Sequence, residues 1–466
     1  MRALALLLLA TTAGAAEFER VTLQCPPSID YRVQRDLTGD GRTDLLLISA
    51  REAWLWRGRA AGMPARPDVK ITLPAGATLF DCGPARAGEG QELIVRTHEA
   101  YWAVPWNGAP VRLPMASGPG MPMRTRNVLW RGFFRDFDLD RRPDFIDVSL
   151  AGYHIRYAAG DEQTLPAVVT ETSRPGGPAL TARRVQRYAI GAWTDGNFNG
   201  DLRPDFAVET PEGLRVYAGD AKGRFSPKRF EEIALPAAKD SEVTYRDLNV
   251  DGQTDVLAVQ RREGRATVLI GDPKQGLRRP FKFELVVPGG LRPPILADLN
   301  RDGRPDLALP YVPKPNFRDV VRVVARAEFV VKVPVFLNGG GRRPFAATAD
   351  ALLDLPVRVR MGTDPTGRLK LSGLIIVEYG GDLDGDGRND LVVTEKTDKL
   401  AIYRGVAKSV FREDVWAHIA IPDCAPFSSV QSAAADLNGD ARSDMILHYR
   451  GGGRRPDQVH VLLSRK

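Results

Sequence analysis

Short hydrophobic runs separated by polar turns occur along most of the chain. The runs are four to seven residues long and rich in β-branched and aromatic residues, and Gly and Pro are frequent between them. Runs of this kind predict strands, and the turn residues disfavour long helices. In one repeat we predict strands at 31–35, 44–49, 53–57 and 69–73, and in a later repeat at 243–246, 255–259, 266–270 and 282–287. The pattern predicts an all-β fold.

A nine-residue acidic motif recurs seven times, each copy directly before an apolar run. Position 1 is Asp or Asn, position 3 is Asp, Asn or Thr, and positions 5 and 9 are always Asp. The copies lie at 36–44, 136–144, 197–205, 247–255, 298–306, 382–390 and 436–444. An eighth, degenerate copy is expected at 89–92, without the set of carboxylates. Repeats of roughly 50 residues with four short strands indicate the blades of a β-propeller.

The longest interval and the two chain ends fix the number of blades. The interval from 298 to 382 is predicted to be one blade with insertions near 312–329 and 358–369, because its third strand ends like that of the preceding repeat. The last repeat stops one strand short, and residues 17–24 form a strand without a partner in the first repeat. We expect this N-terminal strand to complete the last blade, which removes two exposed sheet edges. The prediction is an eight-bladed propeller forming one domain over 17–466.

The oxygen-rich loops point to a hard cation. Carboxylates at positions 1, 3, 5 and 9 of a tight loop favour Ca²⁺, with the carbonyl of position 7 as a further ligand. Glycine at position 6 permits the turn, but Arg141, Leu202 and Ala441 stand there in three copies, where strain or weaker sites are expected. An EF-hand is excluded because position 12 is apolar in all copies but one. The competing interpretation is a solvated turn without metal, which repulsion between closely spaced carboxylates disfavours.

These loops resemble the FG-GAP, or VCBS, repeats of integrin-α-type β-propellers, whose hairpin loops bind Ca²⁺. The resemblance extends over essentially all of 17–466 and concerns fold and metal more than activity. It implies five to seven Ca²⁺ ions, because one loop is degenerate, one has two Asn residues and three lack glycine. The ligands implied by the resemblance are Asp36, Thr38, Asp40, Asp44, Asp136, Asp138, Asp140, Asp144, Asn197, Asn199, Asp201, Asp205, Asp247, Asn249, Asp251, Asp255, Asp298, Asn300, Asp302, Asp306, Asp382, Asp384, Asp386, Asp390, Asp436, Asn438, Asp440 and Asp444.

The N-terminus predicts export. Residues 1–16 combine one Arg, an apolar run and small residues, as in a cleaved signal peptide. No cysteine stands where a lipid would be attached, and no apolar stretch is long enough to span a membrane. The expected location is secreted, periplasmic or at the cell surface. Export allows a disulfide between Cys25 and Cys424, at equivalent positions of neighbouring blades, although spacing cannot show that they meet; Cys82 is expected free or buried.

Charge and the absence of catalytic motifs limit the function. The seven loops hold 22 aspartates, so the rest of the chain carries +29 against +7 for the whole. A basic remainder favours an anionic partner, although charge that merely keeps the protein soluble is an alternative. No nucleophile elbow, metal-protease motif, phosphate loop or nucleic-acid-binding motif is present.

The resulting hypothesis is a monomeric binding scaffold, not an enzyme, whose partner is a protein or an anionic glycan at the cell surface. A polysaccharide lyase or lectin on the same ring is the alternative. Four of the tryptophans could stack on a sugar or pack between the first two blades, namely Trp54, Trp56, Trp102 and Trp106. A third possibility is a component of an outer-surface assembly with residues 312–329 as its contact.

Overall fold

Each predicted repeat folds into a small antiparallel sheet whose strands follow one another in chain order. The structure, a computed structural model, describes residues 18–83, 91–97, 99–113, 129–130, 132–149, 151–175, 184–235, 241–314, 328–358, 360–363, 369–372, 377–406, 410–412, 414–424 and 426–465. The predicted signal peptide, residues 89–90 of the degenerate acidic loop, residues 315–327 of the first insertion, and residues 359 and 364–368 of the second insertion lie outside these residues.

The first half of the chain forms blades 1 to 4, after the N-terminal strand β1 (Phe18–Leu23). Blade 1 contains β2 (Tyr31–Arg35), β3 (Asp44–Ile48), β4 (Glu52–Trp56) and β5 (Val69–Thr72). Blade 2 contains β6 (Leu79–Gly83), β7 (Glu92–Arg96), β8 (Tyr101–Val104) and β9 (Val111–Arg112), and β10 (Leu129–Trp130) pairs parallel to β6. Blade 3 contains β11 (Phe134–Arg135), β12 (Asp144–Val148), β13 (Gly152–Arg156) and β14 (Glu162–Pro166), followed by a separate hairpin, β15 (Val169–Pro175) and β16 (Arg184–Ile190). Blade 4 contains β17 (Trp193–Gly196), β18 (Asp205–Glu209), β19 (Gly213–Tyr217) and β20 (Glu231–Ala234).

The second half forms blades 5 to 8. Blade 5 contains β21 (Glu242–Arg246), β22 (Asp255–Gln260), β23 (Arg265–Asp272) and β24 (Gly276–Val286). Blade 6 contains β25 (Gly289–Leu291), β26 (Ile295–Ala297), β27 (Asp306–Ala308), β28 (Tyr311–Pro313), β29 (Glu328–Phe336) and β30 (Ala351–Arg358), followed by a hairpin, β31 (Arg360–Thr363) and β32 (Leu369–Ser372). Blade 7 contains β33 (Val377–Gly381), β34 (Asp390–Lys396), β35 (Lys399–Tyr403) and β38 (Ala417–Ala420), with a small hairpin of β36 (Gly405–Val406) and β37 (Val410–Phe411). Blade 8 contains β39 (Ser429–Ala435), β40 (Asp444–Arg450) and β41 (Gln458–Ser464).

The N-terminal strand closes the ring, as predicted. Strand β1 pairs antiparallel with β41, from Phe18 opposite Ser464 to Leu23 opposite Val459, and is the outermost strand of blade 8. The eight-bladed all-β fold is therefore confirmed. The disulfide considered from the sequence is not formed, because Cys25 and Cys424 are not bonded to each other. Cys25 lies near the blade 8–blade 1 core and Cys424 in the blade 7–blade 8 core, so strand pairing ties the ends together without a covalent link.

Hydrophobic cores lie between blades rather than within them. Eight clusters of buried residues each combine side chains from two neighbouring blades, and together they connect every blade to the next around the ring. The middle strands carry most of these residues; β3, for example, is buried throughout. First strands of neighbouring blades touch one another, as β33 and β39 do. They therefore form the inner wall of the ring.

Several elements were not predicted from the sequence. These are the parallel strand β10, the hairpin β15–β16 and the hairpin β36–β37. In the part of the chain that the structure describes, no helix has the length and hydropathy to cross a bilayer.

Candidate metal centres

Each of the seven acidic loops connects the innermost strand of a blade to the strand that follows it, which is β26 to β27 in blade 6, so all of them lie on one face of the ring. We number them by blade, as loops 1 and 3 to 8; blade 2 has the degenerate copy. Direct contacts join neighbours on this face: Thr254 of loop 5 and the backbone of Asn197 in loop 4 exchange two hydrogen bonds of 2.9 Å. Ser443 of loop 8 bonds the backbone of Asp382 in loop 7 in the same way.

The aspartate at position 9 is a structural anchor in every loop. One of its carboxylate oxygens accepts the backbone N–H of position 2 at 2.8–3.0 Å in all seven loops. The other oxygen accepts an N–H from the end of the third strand of the same blade, at 2.8–3.1 Å. These aspartates are at most 1% exposed. The carboxylate thus fastens the acidic loop to the blade, because buried N–H groups must find acceptors.

Position 2 is a buried hydrophobic anchor that the sequence analysis missed. It is Leu or Phe in all seven copies and at most 1% exposed. Each of these side chains belongs to the core between its own blade and the next; Leu248, for example, packs in the blade 5–blade 6 core. The signal was present in the sequence, since an apolar residue recurs between two polar ligand positions. The loop is therefore held by its position 2 side chain and by its position 9 carboxylate.

The remaining acidic positions curl the backbone around the loop interior. The position 5 carboxylate accepts the N–H of position 7 at 2.8–3.0 Å in all seven loops. The position 1 carboxylate accepts the N–H of position 6 at 2.7–3.0 Å in six loops, with loop 4 the exception.

Left-handed backbone occurs at two positions of each loop. Position 6 has φ between 63° and 88°, including the non-glycine residues Arg141, Leu202 and Ala441. Position 4, which the sequence analysis did not single out, is also left-handed in all seven copies, with φ between 60° and 84°. Its least tolerant occupant is Val250, because a β-branched side chain is strongly disfavoured in this region. Backbone strain was expected only at position 6 of three loops, and the structure adds position 4 wherever a residue other than glycine stands there.

Two loops bring three carboxylates together. In loop 3, oxygens of Asp136, Asp138 and Asp144 lie within 4.8 Å of one another. In loop 7 the same holds for Asp382, Asp384 and Asp390. These are the only two loops with Asp at position 3. Convergent carboxylates at this distance suit a hard divalent cation, so the predicted positions 1, 3 and 9 come together here.

The other five loops have Thr or Asn at position 3. No third carboxylate converges in them among the described residues. In loops 5 and 6, Asn249 and Asn300 each donate from the side-chain amide to the position 5 aspartate, at 3.0 and 3.2 Å. In loop 4, Asn199 donates to Asp205 at 3.2 Å. In these three loops, an Asn side-chain amide therefore donates a hydrogen bond to a loop carboxylate and compensates part of its negative charge.

Arginines compete for at least four of the predicted ligands, because a guanidinium nitrogen lies within 4.0 Å of Asp140, Asp382, Asp384 and Asp386. The Arg142 side chain pairs with Asp140, its Nε 2.8 Å from the carboxylate. Arg404 lies 2.7 Å from Asp384, which is a member of the loop 7 cluster. A cation at loop 7 would share that carboxylate with Arg404.

Burial and nearby carboxylates raise the pKa of several of the anchoring aspartates. Burial raises the pKa of Asp205, Asp255 and Asp390 to about 7, and the neighbouring loop carboxylates add to the effect. The pKa of Asp444 is raised to about 6 for the same reasons. A bound cation favours the ionised form, so metal and protons compete for these loops.

The fold and the loops define a class: an eight-bladed β-propeller whose acidic hairpin loops recur on one face. The profile of the FG-GAP-like repeat matches residues 247–309 and 382–447, which contain loops 5 to 8. The chain is thus an eight-bladed β-propeller that carries FG-GAP-like repeats, in agreement with the resemblance seen in the sequence. No curated protein sequence matches it.

Solved structures with a similar course of the chain are distant. An Agrocybe aegerita lectin, studied for recognition of non-reducing terminal N-acetylglucosamine, is 14% identical, with a TM-score of 0.40 over 83% of this chain and 94% of that one. BBS1N in complex with ARL6DN is 12% identical, with a TM-score of 0.39 over 95% of both chains. The Vibrio cholerae biofilm matrix protein Bap1 is 12% identical, with a TM-score of 0.25 over 97% of this chain and 67% of that one. These similarities are too low to assign a ligand.

The four tryptophans considered as sugar-stacking or packing residues differ in their surroundings. Trp56 is fully buried, and Trp106 donates to the backbone of Leu37 across the blade 1–blade 2 boundary. Trp54 is covered by Lys70, whose Nζ lies 3.8 Å from its ring centre. Trp102 lines a surface groove between blades 1 and 2 with Glu99 and Arg112.

Proposed function

We propose that the protein is an exported, calcium-stabilised propeller that acts as a binding scaffold. The observation that carries the calcium part is the convergence of three carboxylates in loops 3 and 7. The atoms that converge are all carboxylate oxygens, the type of ligand that Ca²⁺ prefers. Positions 1, 3 and 9 of these loops would hold the ion, which would neutralise carboxylates that otherwise repel. Loop 4, with two carboxylates, is the weakest candidate.

The test is metal content combined with thermal stability. We expect purified protein to retain calcium, and a chelator to lower its melting temperature, because an ion bound only to the folded state stabilises it by mass action. The double change Asp138→Asn with Asp384→Asn should remove two ions and reduce the chelator effect. Asp414→Asn is the matched control, since Asp414 is an exposed carboxylate outside the loops. Melting curves that ignore both calcium and chelator would contradict the proposal.

Export and partner are further parts of the proposal. Cleavage near residue 16 is tested by N-terminal sequencing of protein recovered from outside the cytoplasm. The scaffold part is supported by the ring itself, since propellers of unrelated activity use their faces and insertions for binding. We propose a protein or an anionic glycan at the cell surface as the partner and a monomer as the working unit. Cross-linking on intact cells followed by partner identification tests both.

Carbohydrate binding is the second candidate, favoured by the groove at Trp102. Its volume is about 860 Å³, and Trp102 lies there beside Glu99 and Arg112. An indole with nearby charged groups can stack on a sugar ring and bond its hydroxyls. Glycan-array binding that is lost in Trp102→Ala but kept in Trp54→Ala would support this function.

A further inference from the structure

A polar pocket lies where the chain ends join, on the face opposite the acidic loops. It has a volume of about 340 Å³ and is lined by the link before β2, the start of β39 and the turn between β40 and β41. Loop 8 joins β39 to β40, so this turn stands at the other end of β40. The pocket is therefore separate from every candidate metal loop. Its volume exceeds that of several water molecules.

The floor of the pocket is built around the carboxylate of Asp457. One oxygen accepts the N–H of Ile29 at 2.9 Å and contacts Nε2 of His448 at 3.0 Å, and the other accepts the N–H of Gly451 at 2.8 Å. Asp457 is 8% exposed and His448 is 2% exposed. The acceptors of this carboxylate are occupied by protein donors, so it fixes the turn and the N-terminal link in place.

Two arginines at the pocket have no carboxylate partner. Arg450 and Arg455 both line it, and neither forms an ion pair within the described part of the chain. Many other arginines of the molecule do pair, as Arg224 does with Asp161. The guanidinium carbon of Arg455 lies 5.1 Å from the ring centre of Phe427, a cation–π contact that restrains the side chain. The pocket thus contains two guanidinium groups without an ion-pair partner and one carboxylate, that of Asp457, which is already hydrogen-bonded to protein donors.

The turn between β40 and β41 contributes backbone N–H groups to the pocket, and its glycines have no side chains that would block a ligand. Gly452 and Gly453 have φ of 64° and 76°, and both line the pocket. Their backbone N–H groups donate to no acceptor among the residues that the structure describes. Ser28 and Ser429, whose side chains carry hydroxyl groups, also line the pocket. All of these groups, like the two guanidiniums, can donate hydrogen bonds.

We propose that this pocket binds an oxyanion, a sulfate, phosphate or carboxylate group, held by Arg450 and Arg455. Guanidinium groups form charge-assisted, often bidentate bonds to such groups. The chemistry is common to a free inorganic anion and to the acidic substituent of a saccharide. The site needs no calcium, so it is independent of the metal proposal.

The experiment compares three probes by isothermal titration at constant ionic strength: inorganic sulfate, an O-sulfated disaccharide and the same disaccharide without sulfate. We expect saturable binding of the first two and none of the third. Tighter binding of the sulfated disaccharide than of sulfate identifies a saccharide substituent as the ligand, and equal binding identifies a free anion. Equal binding of the unsulfated sugar would overturn the proposal, as would no binding of any probe.

Variants locate the site. Arg450→Gln with Arg455→Gln should weaken sulfate binding at least about tenfold, because each removes a charge-assisted contact. Arg454→Gln is the matched control: it lies in the same turn but does not line the pocket, and should change affinity little. Ser429→Asp keeps both arginines and should also abolish binding by repulsion, which guards against a folding defect in the double variant. Equal losses in Arg454→Gln would refute the site. All titrations are repeated with calcium and with chelator.

Discussion

The most direct test of the loop architecture separates the anchoring role of position 9 from metal binding. In loop 5, Asp255 is fully buried, and its two oxygens accept the N–H groups of Leu248 and Gly271, each at 2.8 Å. Asp255→Ala removes both acceptors and leaves two buried donors without partners. If the aspartate acted only as a calcium ligand, the change would matter only when calcium is bound.

The magnitude follows from the two lost bonds. An unsatisfied buried N–H costs about 1–3 kcal/mol, which gives about 2–6 kcal/mol for the pair. Burial raises the pKa of Asp255 to about 7, so the native carboxylate is itself unfavourably placed and part of the loss is recovered. We expect about 2–4 kcal/mol of local stability to be lost, which corresponds to about 30- to 700-fold faster exchange at about 1.4 kcal/mol per tenfold.

Hydrogen exchange by mass spectrometry measures this directly. Peptides covering Leu248 and Gly271 should exchange faster in Asp255→Ala by that factor, in chelator as well as in calcium. The control is Asp251→Asn in the same loop, an exposed position. Its Oδ1, which accepts the N–H of Gln253 at 2.9 Å, is retained in the amide, and only the exposed 3.0 Å bond from Nδ2 of Asn249 to Oδ2 is lost. In chelator, the exchange rates of the same peptides in Asp251→Asn should match those of the wild type. If the two variants behave alike in chelator, the anchoring role is wrong.

Three further predictions concern pH, strain and closure. Burial raises the pKa of Asp205 and Asp390 to about 7, above the ordinary value near 4, so the folded state retains protons that the unfolded state releases. Stability of the chelated protein should therefore fall from about pH 4 to about pH 7, and the stabilisation by calcium, taken as the difference between urea curves with and without it, should grow over the same range; a constant difference would contradict this. Val250→Gly should raise stability by about 0.5–1 kcal/mol in urea titration, because glycine removes the left-handed strain of a β-branched residue but loosens the unfolded chain, whereas Val286→Gly on a strand should lower it. Leu23→Asp should release β1 from β41 and expose the N-terminus to limited proteolysis, since it places a charge at a site only 4% exposed; Glu19→Ala, exposed on the same strand, should remain resistant.

Much of the fold followed from local patterns in the sequence. The acidic motif fixes where each second strand begins, since position 9 is its first residue: Asp44 opens β3 and Asp255 opens β22. Closure could be predicted because a strand was lacking at one end of the chain and spare at the other. These features depend on residues close together in sequence or on simple counting.

Other features depend on contacts that the local pattern does not contain. The amide that bonds the second oxygen of position 9 is 14 residues away in loop 1 and 32 residues away in loop 6, so its identity emerges only when the blade is assembled. Strand β10 pairs with β6 across some 50 residues and is only two residues long, too short for a periodic signal. The hairpin β15–β16 has Thr, Ser, Gln and Arg along most of its length and lacks the alternation of a half-buried strand.

The seven loops divide two tasks between their positions, and this division explains which positions vary. Position 9 fastens the loop to its blade through buried backbone N–H groups, and no other residue type occurs there in the seven copies. Positions 1 and 3 face the loop interior, where Asn or Thr can replace Asp at the expense of charge. Blade 4 illustrates the point: Asn197 and Asn199 reduce its ligand charge, yet Asp205 keeps its bonds to Phe198 and Gly219 at 2.8 and 3.1 Å. Each blade can therefore keep its geometry whatever its affinity for a cation, and metal affinity can differ from loop to loop around one ring.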